Sequence, residues 1–396
     1  MLRKIKITNF KSVAKLDLDL GQINLFIGAN GAGKSNLLEA VGILSAAASG
    51  RVDDESLLRR GVRPGVPRLY KSAFPQTSKA QHIAFQGESR NGASYSVTLW
   101  NPSDDPSPAW KFKHENLTQP NNAQAVTRGP RSNTGLEFQQ GLAALKVAEF
   151  SPDAPAVQLM EELRNFAIYC PNTPTLRLLV PDGQSRDPVG LSGGRLPEAV
   201  RELIVSLRRS QGHAELLDDI TGMVDWSEGF SAEPSISVPL SPSAARSPLV
   251  VQFVDRYMAK SRNRLSGYDA SEGALYILFC AVLALHPKAP KLLAIDNFDQ
   301  ALNPRLARKL TAALCRWTAV AEPQRQWLLT AHNPAVLDGL PLTHPDIRLF
   351  AVERDNNGHT CVNRIDLDEA LRRRPSEDWT LSRMWMNGYL GAVPDV

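Results

Sequence analysis

The eight residues from Gly28 to Ser35, GANGAGKS, constrain this chain more than any other stretch of it. They fit G-x-x-x-x-G-K-[ST] in full, and each fixed place in that pattern has a chemical reason. The glycines let backbone N–H groups approach phosphate oxygens, Lys34 brings a positive charge to the β and γ phosphates of a nucleotide, and Ser35 offers its hydroxyl to Mg²⁺. Gly28, Asn30, Gly31, Gly33, Lys34, Ser35 and Asn36 are therefore the candidate ATP contacts. The loop follows INLFIG (23–28), a continuous apolar run suited to a strand covered on both faces, and precedes the helix-like NLLEAVGILSAAA. In that order the helix N-terminus adds its own partial positive charge to the site.

A second carboxylate site is legible downstream. Asp296 follows the apolar run KLLAI and so ends a second buried strand, where an aspartate holds the water shell of Mg²⁺. Between the two sites the pattern changes repeatedly. RKIKITNF and LDLDL alternate as half-buried strands do, and HIAFQ and YSVTLW look like an antiparallel pair. Residues from about 103 to 135, rich in Pro, Asn, Ser and Gln, read as a mobile loop. VQLMEELRNFAIYC and LPEAVRELIVSLRR carry helical apolar spacing, SISVPL and LVVQFV read as strands, and GALYILFCAVLALH reads as a buried helix before LLAID and WLLTAH. Helix and strand alternating at both ends imply an α/β fold with a mixed β and helical insertion. The expected parts are 1–115 and 249–396 as the two portions of an ATPase head, and 116–248 as the insertion.

With both sites placed, the chain resembles the ABC-type ATPase head shared by the SMC, RecF and OLD families. ITNFKS (7–12), INLFIGANGAGKSNLLEA (23–40), ASEGALYILFCAVLAL (270–285), LLAIDNFDQALNP (292–304) and LLTAHNP (328–334) carry the resemblance, in the family's order, over about the first 50 and last 130 residues. It implies that Ser271, Glu272 and Gly273 form the signature that caps the γ phosphate of ATP held by a second copy, making a homodimer around two ATP molecules. It further implies that Ala301–Pro304 is the D-loop, that His332 is the switch histidine, and that Lys11 and Ser12 lie beside the nucleotide. LSGGR at 191–195 imitates a transporter signature. Ser192, however, lies 104 positions before Asp296 and Ser271 only 25 before it, so LSGGR is expected to be a turn capping the helix from Leu196.

One departure bears on catalysis. The family's glutamate after the Mg²⁺-binding aspartate is Asn297 here, and an amide orients water without accepting its proton. The expected enzyme is a slow ATP hydrolase with Asp296, Asn297 and His332 at the catalytic centre, unless Asp299 supplies the missing carboxylate.

The remaining features narrow the partners. No run of about 18 apolar residues exists, which argues against a membrane span and for a cytoplasmic protein. The four cysteines lack metal-ligand spacing. A net charge of +4 announces no nucleic-acid binder, although Arg59–Lys71 and Arg256–Arg264 are locally basic and leave DNA possible. The resemblance to OLD-type ATPases implies a dimeric nucleotide switch that serves as the ATPase subunit of a bacterial anti-phage defence system; only 64 residues follow His332, without an acidic nuclease cluster, so the expected effector is a separate nuclease-like chain. The alternative is DNA repair or chromosome maintenance of the RecF or SMC type.

Overall fold

A computed structural model of the chain describes residues 1–75, 80–120, 124–129, 138–147, 150–209, 214–241, 247–341, 344–366 and 379–392. The strands are β1 (Leu2–Phe10), β2 (Val13–Asp19), β3 (Ile23–Ile27), β4 (His82–Ser89), β5 (Ser94–Trp100), β6 (Lys111–Thr118), β7 (Gln124–Arg128), β8 (Ile168–Tyr169), β9 (Ser227–Pro234), β10 (Leu249–Asp255), β11 (Arg264–Ser266), β12 (Leu292–Ile295), β13 (Gln326–Ala331), β14 (Ile347–Arg354) and β15 (Thr360–Ile365). The helices are α1 (Lys34–Ala48), α2 (Asp54–Leu58), α3 (Pro67–Tyr70), α4 (Leu142–Lys146), α5 (Pro155–Arg164), α6 (Thr173–Leu176), α7 (Leu196–Arg209), α8 (Ala214–Gly222), α9 (Glu272–Leu285) and α10 (Pro304–Val320), with a last helix at Leu381–Met386.

Three sheets result. β2-β1-β4-β5-β6-β7 is antiparallel throughout, and β15-β14-β3-β13-β12-β8 has a parallel centre with β15 antiparallel at one edge. The third, β11-β10-β9, is a small antiparallel sheet. The continuous apolar strands β3, β12 and β13 are buried on both faces, as the sequence implied. α1 lies in one core with the inner face of the antiparallel sheet, while α9 and α10 lie in a second core on the other side of the parallel strands. Every residue of α9 from Ala274 to Leu285 is buried, which explains its lack of a polar face.

Two elements cross the bounds of the expected parts. β6 runs through position 115, and β7 extends the same antiparallel sheet. β8, inside the expected insertion, pairs in parallel with β12 at the edge of the sheet that carries the phosphate loop. The stretch expected to be a loop from 103 therefore holds two strands, while its residues 121–123 and 130–135 lie outside those described. SISVPL is not a strand: Ser235–Ser237 form a 3₁₀ turn, and β9 precedes it. Pro234 and Pro239 flank that turn and lack the N–H a ladder needs. Among the described residues no helix is long and apolar enough to cross a membrane.

Candidate functional site

The phosphate loop joins the C-terminal end of β3 to α1, and its glycines are held by the neighbouring strands. Gly28 has φ +151°, and a Cβ there would lie 2.1 Å from the Val352 carbonyl oxygen of β14. Gly33, at φ +112°, would meet Thr360 Oγ1 at 2.2 Å. Neither place admits a side chain. Asn30 and Gly31 are exposed at the rim, where Arg354 Nε donates to the Gly31 carbonyl at 3.1 Å.

Lys34 is buried, and its ammonium donates to the loop's own carbonyls, Gly28 at 2.7 Å and Ala29 at 3.0 Å. Among the described residues it makes no ion pair. Burial pushes its pKa down to about 8, against the opposing charges of Asp296 and Asp299. His332 Nδ1 stands 3.5 Å from Lys34 Nζ, and burial together with that ammonium holds the imidazole below its usual range.

Ser35 Oγ donates to Asp296 Oδ2 at 2.8 Å, bringing together the two oxygen donors expected to hold Mg²⁺. Thr330, which the sequence reading missed, donates to Asp296 Oδ1 at 2.6 Å and accepts from the backbone N–H of Asn297 at 2.8 Å. Asn297 has φ +57°, a left-handed conformation that asparagine tolerates better than a β-branched residue. Asp299 is differently employed. Its Oδ2 accepts the backbone N–H of His332 at 2.8 Å and that of Asn333, while its Oδ1 is buried without a partner among the described residues.

The other predicted residues are placed as follows. Lys11, at φ +48°, pairs with the buried Glu39 of α1 and lies 5.1 Å from the Tyr70 ring centre. Ser12 Oγ is 2.7 Å from Thr360 Oγ1 and accepts from Asn36 Nδ2 at 2.7 Å, so it braces the loop from the side. Arg63 was also missed as a site residue: its Nε donates to Glu39 Oε1 at 2.6 Å, and Asp296 contributes to its raised pKa after Glu39. The arginine run at 59–71 was its only signal in the sequence. That run is not solvated surface throughout, because Arg60 and Lys71 are both 7% exposed.

Ser271 caps α9, accepting from the Ala274 N–H, and is exposed. Glu272 accepts from Thr173 Oγ1. Gly273 faces Leu306 of α10, with Ala301 O close by, which sets the signature turn beside the predicted D-loop. Among the described residues no hydrogen bond joins Ser271–Gly273 to Gly28–Asn36. LSGGR forms a turn: Ser192 and Gly194 donate their N–H groups to Asp182 Oδ2, and Leu196 N–H bonds to the Gly193 carbonyl where α7 begins.

These features can be set beside known proteins. Residues 1–85 match the AAA ATPase domain family AAA_15, and residues 201–338 match AAA_21, an AAA domain family whose description names the AbiEii toxin and a type IV TA system. An SMC head solved with the C-winged-helix domain of ScpA superposes with a TM-score of 0.51 at 14% identity, covering 93% of this chain and 99% of that one. The fold is that of an ABC-type P-loop ATPase head. A second Smc head, with an extended coiled coil and bound to the C-terminal domain of ScpA derived from Pyrococcus furiosus, gives 0.50 at 12% identity over 94% and 98% of the two chains. At such identities the likeness concerns the fold of the head. DNA replication and repair protein RecF of Paenarthrobacter aurescens is 42% identical over 69 residues, 17% of each chain. RecF of Pseudarthrobacter chlorophenolicus is 41% identical over 93 residues, 23% of each. The chain thus matches about a fifth of the length of these relatives.

A buried ammonium held by two loop carbonyls, beside two glycines that exclude side chains, suits an anionic phosphate chain. The paired Ser35 and Asp296 oxygens suit a hard divalent cation.

Proposed function

We propose that this head is an ATP-binding switch that closes against a second copy of itself and hydrolyses ATP slowly. The observation that carries the reading is the division of its site. Lys34, Ser35, Asp296 and His332 gather around the phosphate loop, whereas Ser271 sits exposed at the N-terminus of α9, and among the described residues no hydrogen bond joins its turn to that loop. A helix N-terminus with exposed donors is suited to the phosphate of a partner's nucleotide. In this reading Lys34 holds the β and γ phosphates, Ser35 and Asp296 hold Mg²⁺, and the cation withdraws charge from the phosphoryl oxygens. Asn297 orients a water but takes no proton, which makes turnover slow.

The switch would act on DNA in repair or chromosome maintenance, supported by the RecF relatives and by a basic hairpin tip between β10 and β11. There Tyr257 is 78% exposed, and Arg256, Lys260, Arg262 and Arg264 are exposed around it. Cation and aromatic together suit phosphates and unstacked bases. A second reading, anti-phage defence with a separate nuclease-like effector, is favoured by the AbiEii description attached to residues 201–338. Sedimentation with ATP and Mg²⁺ tests the common core. The wild type should dimerise, Lys34→Ala should stay monomeric without binding ATP, and Ser271→Arg should bind ATP yet stay monomeric. A Ser271→Arg protein that dimerised normally would remove the signature from the interface.

A further inference from the structure

Far from the phosphate loop, at the other end of α1, lies a cavity of about 990 Å³. Ser49 marks it, and α1 spans about 22 Å between Lys34 and that serine at 1.5 Å rise per residue. Five arginines line the cavity, Arg51, Arg59, Arg60, Arg164 and Arg186, against two carboxylates, Asp53 and Glu55. The carboxylates are already paired, Asp53 with Arg51 and Glu55 with Arg59. Arg60, Arg164 and Arg186 have no carboxylate partner among the described residues.

The ordinary explanation for these three is that they cap helix ends. Arg60 donates to the Ser56 carbonyl of α2 and to Ser45 Oγ and Ser49 Oγ of α1. Arg164 donates to the carbonyls of Ala48 and Ala144, and Arg186 to those of Arg59, Asn165 and Phe166. Such capping is real but too small to neutralise the cavity. A helix C-terminus carries about half a negative charge, less for the single turns α2 and α4, so four ends offset at most about two of the three surplus charges. Burial comes first, then the facing charges of Arg186 and Arg59, in pushing Arg60 down to about 10. The guanidinium groups therefore repel one another and remain charged at neutral pH.

We propose that this cavity binds a small polyanion, a phosphate-bearing molecule of nucleotide size, as an effector of the head. A volume of about 990 Å³ lies at the upper end of what small-molecule sites offer, and guanidinium forks match phosphate oxygens in pairs. Gln184 and Ser185 add neutral donors to the same wall. The cavity is also wired to the nucleotide site. Arg60 lies three residues before Arg63, which holds Glu39 on α1, and Ser45 and Ser49 of that helix are Arg60's own partners. A ligand drawing Arg60 outward would pull on the helix that begins at Lys34.

Calorimetry on the full-length Lys34→Ala protein separates this site from the phosphate loop, using inorganic tripolyphosphate and a 5′-phosphorylated dinucleotide as probes. At least one probe should bind. Gln184→Glu and Arg59→Glu, each added to Lys34→Ala, should weaken it about tenfold or more by facing the ligand with a carboxylate. Neither side chain is itself one of the helix-capping donors, and circular dichroism checks that the variants fold. Tighter dinucleotide binding identifies a nucleotide as the ligand, and preference for tripolyphosphate an inorganic polyphosphate. No binding to Lys34→Ala, or binding indifferent to both added carboxylates, overturns the proposal.

Discussion

If the head binds ATP as proposed, the lowered pKa of Lys34 should make nucleotide affinity depend on pH between about 7 and 9. The ordinary lysine value is 10.5, and burial lowers it here to about 8. With that value roughly nine-tenths of the side chains are charged at pH 7 and one-tenth at pH 9. If the charged form alone binds the phosphates, affinity for ATP should fall about tenfold between pH 7 and 9, with proton uptake on binding in the upper half of that range. Stability has the opposite sign. Between about pH 8 and 10.5 the folded head binds fewer protons at this group than the unfolded chain does, so this group makes the nucleotide-free head more stable as pH rises. His332, lowered rather than raised, is already neutral there. Calorimetry in two buffers of different ionisation enthalpy measures both affinity and proton uptake. Lys34→Arg, if it binds at all, should lose the pH dependence. A wild-type affinity flat from pH 7 to 9.5, without proton uptake, would refute the argument.

Asn297→Glu should raise steady-state ATP turnover, by about 10²-fold or more if a general base is what the site lacks. Asp299→Asn should leave turnover within a few-fold, because an amide oxygen still accepts one N–H; turnover lost in Asp299→Asn and not gained in Asn297→Glu would make Asp299 the catalytic carboxylate. Reversing Arg262 and Arg264 to Glu should weaken DNA binding and its salt dependence in a titration by anisotropy, and unchanged binding would return the hairpin tip to plain surface. Gly193→Leu should lower the melting temperature whether or not ATP is present, at a cost of about 1–3 kcal/mol, since that residue has φ +101° and a Cβ would meet Leu176 at 2.3 Å.

The two ends of the chain were legible because the elements there announce themselves chemically. A glycine loop between an apolar strand and a helix has few other uses, and β12 and β13 are continuous apolar runs that place Asp296 and His332 at strand ends. In the middle, β4, β5 and β10 were legible, but β6, β7 and β8 were not, because they lack that signal. β6 reads KFKHENLT, with a buried Glu115 that accepts from Tyr95 and from two backbone N–H groups of α4, so its alternation is hidden by a polar residue facing inward. β8 is two residues long and joins the parallel sheet only through β12. Periodicity cannot detect a strand of that length.

The same limit applies within the site, and Asp299 shows why. From sequence a carboxylate three residues after Asp296 is equally a spare base or a structural anchor. What decides is where the backbone turns. The left-handed conformation of Asn297 and the bond from Phe298 N–H to the Thr330 carbonyl fold the segment back along β13, which brings Asp299 under the N–H groups of His332 and Asn333. The carboxylate thereby fixes the peptide that carries His332, the proposed switch histidine, and Thr330 ties the start of the same turn to Asp296. Asn297 is left as the residue that follows Asp296, with no carboxylate of its own. An asparagine at that place suits the turn, which its side chain tolerates, and in the proposed reading it would make the chemistry slow, because its amide takes no proton.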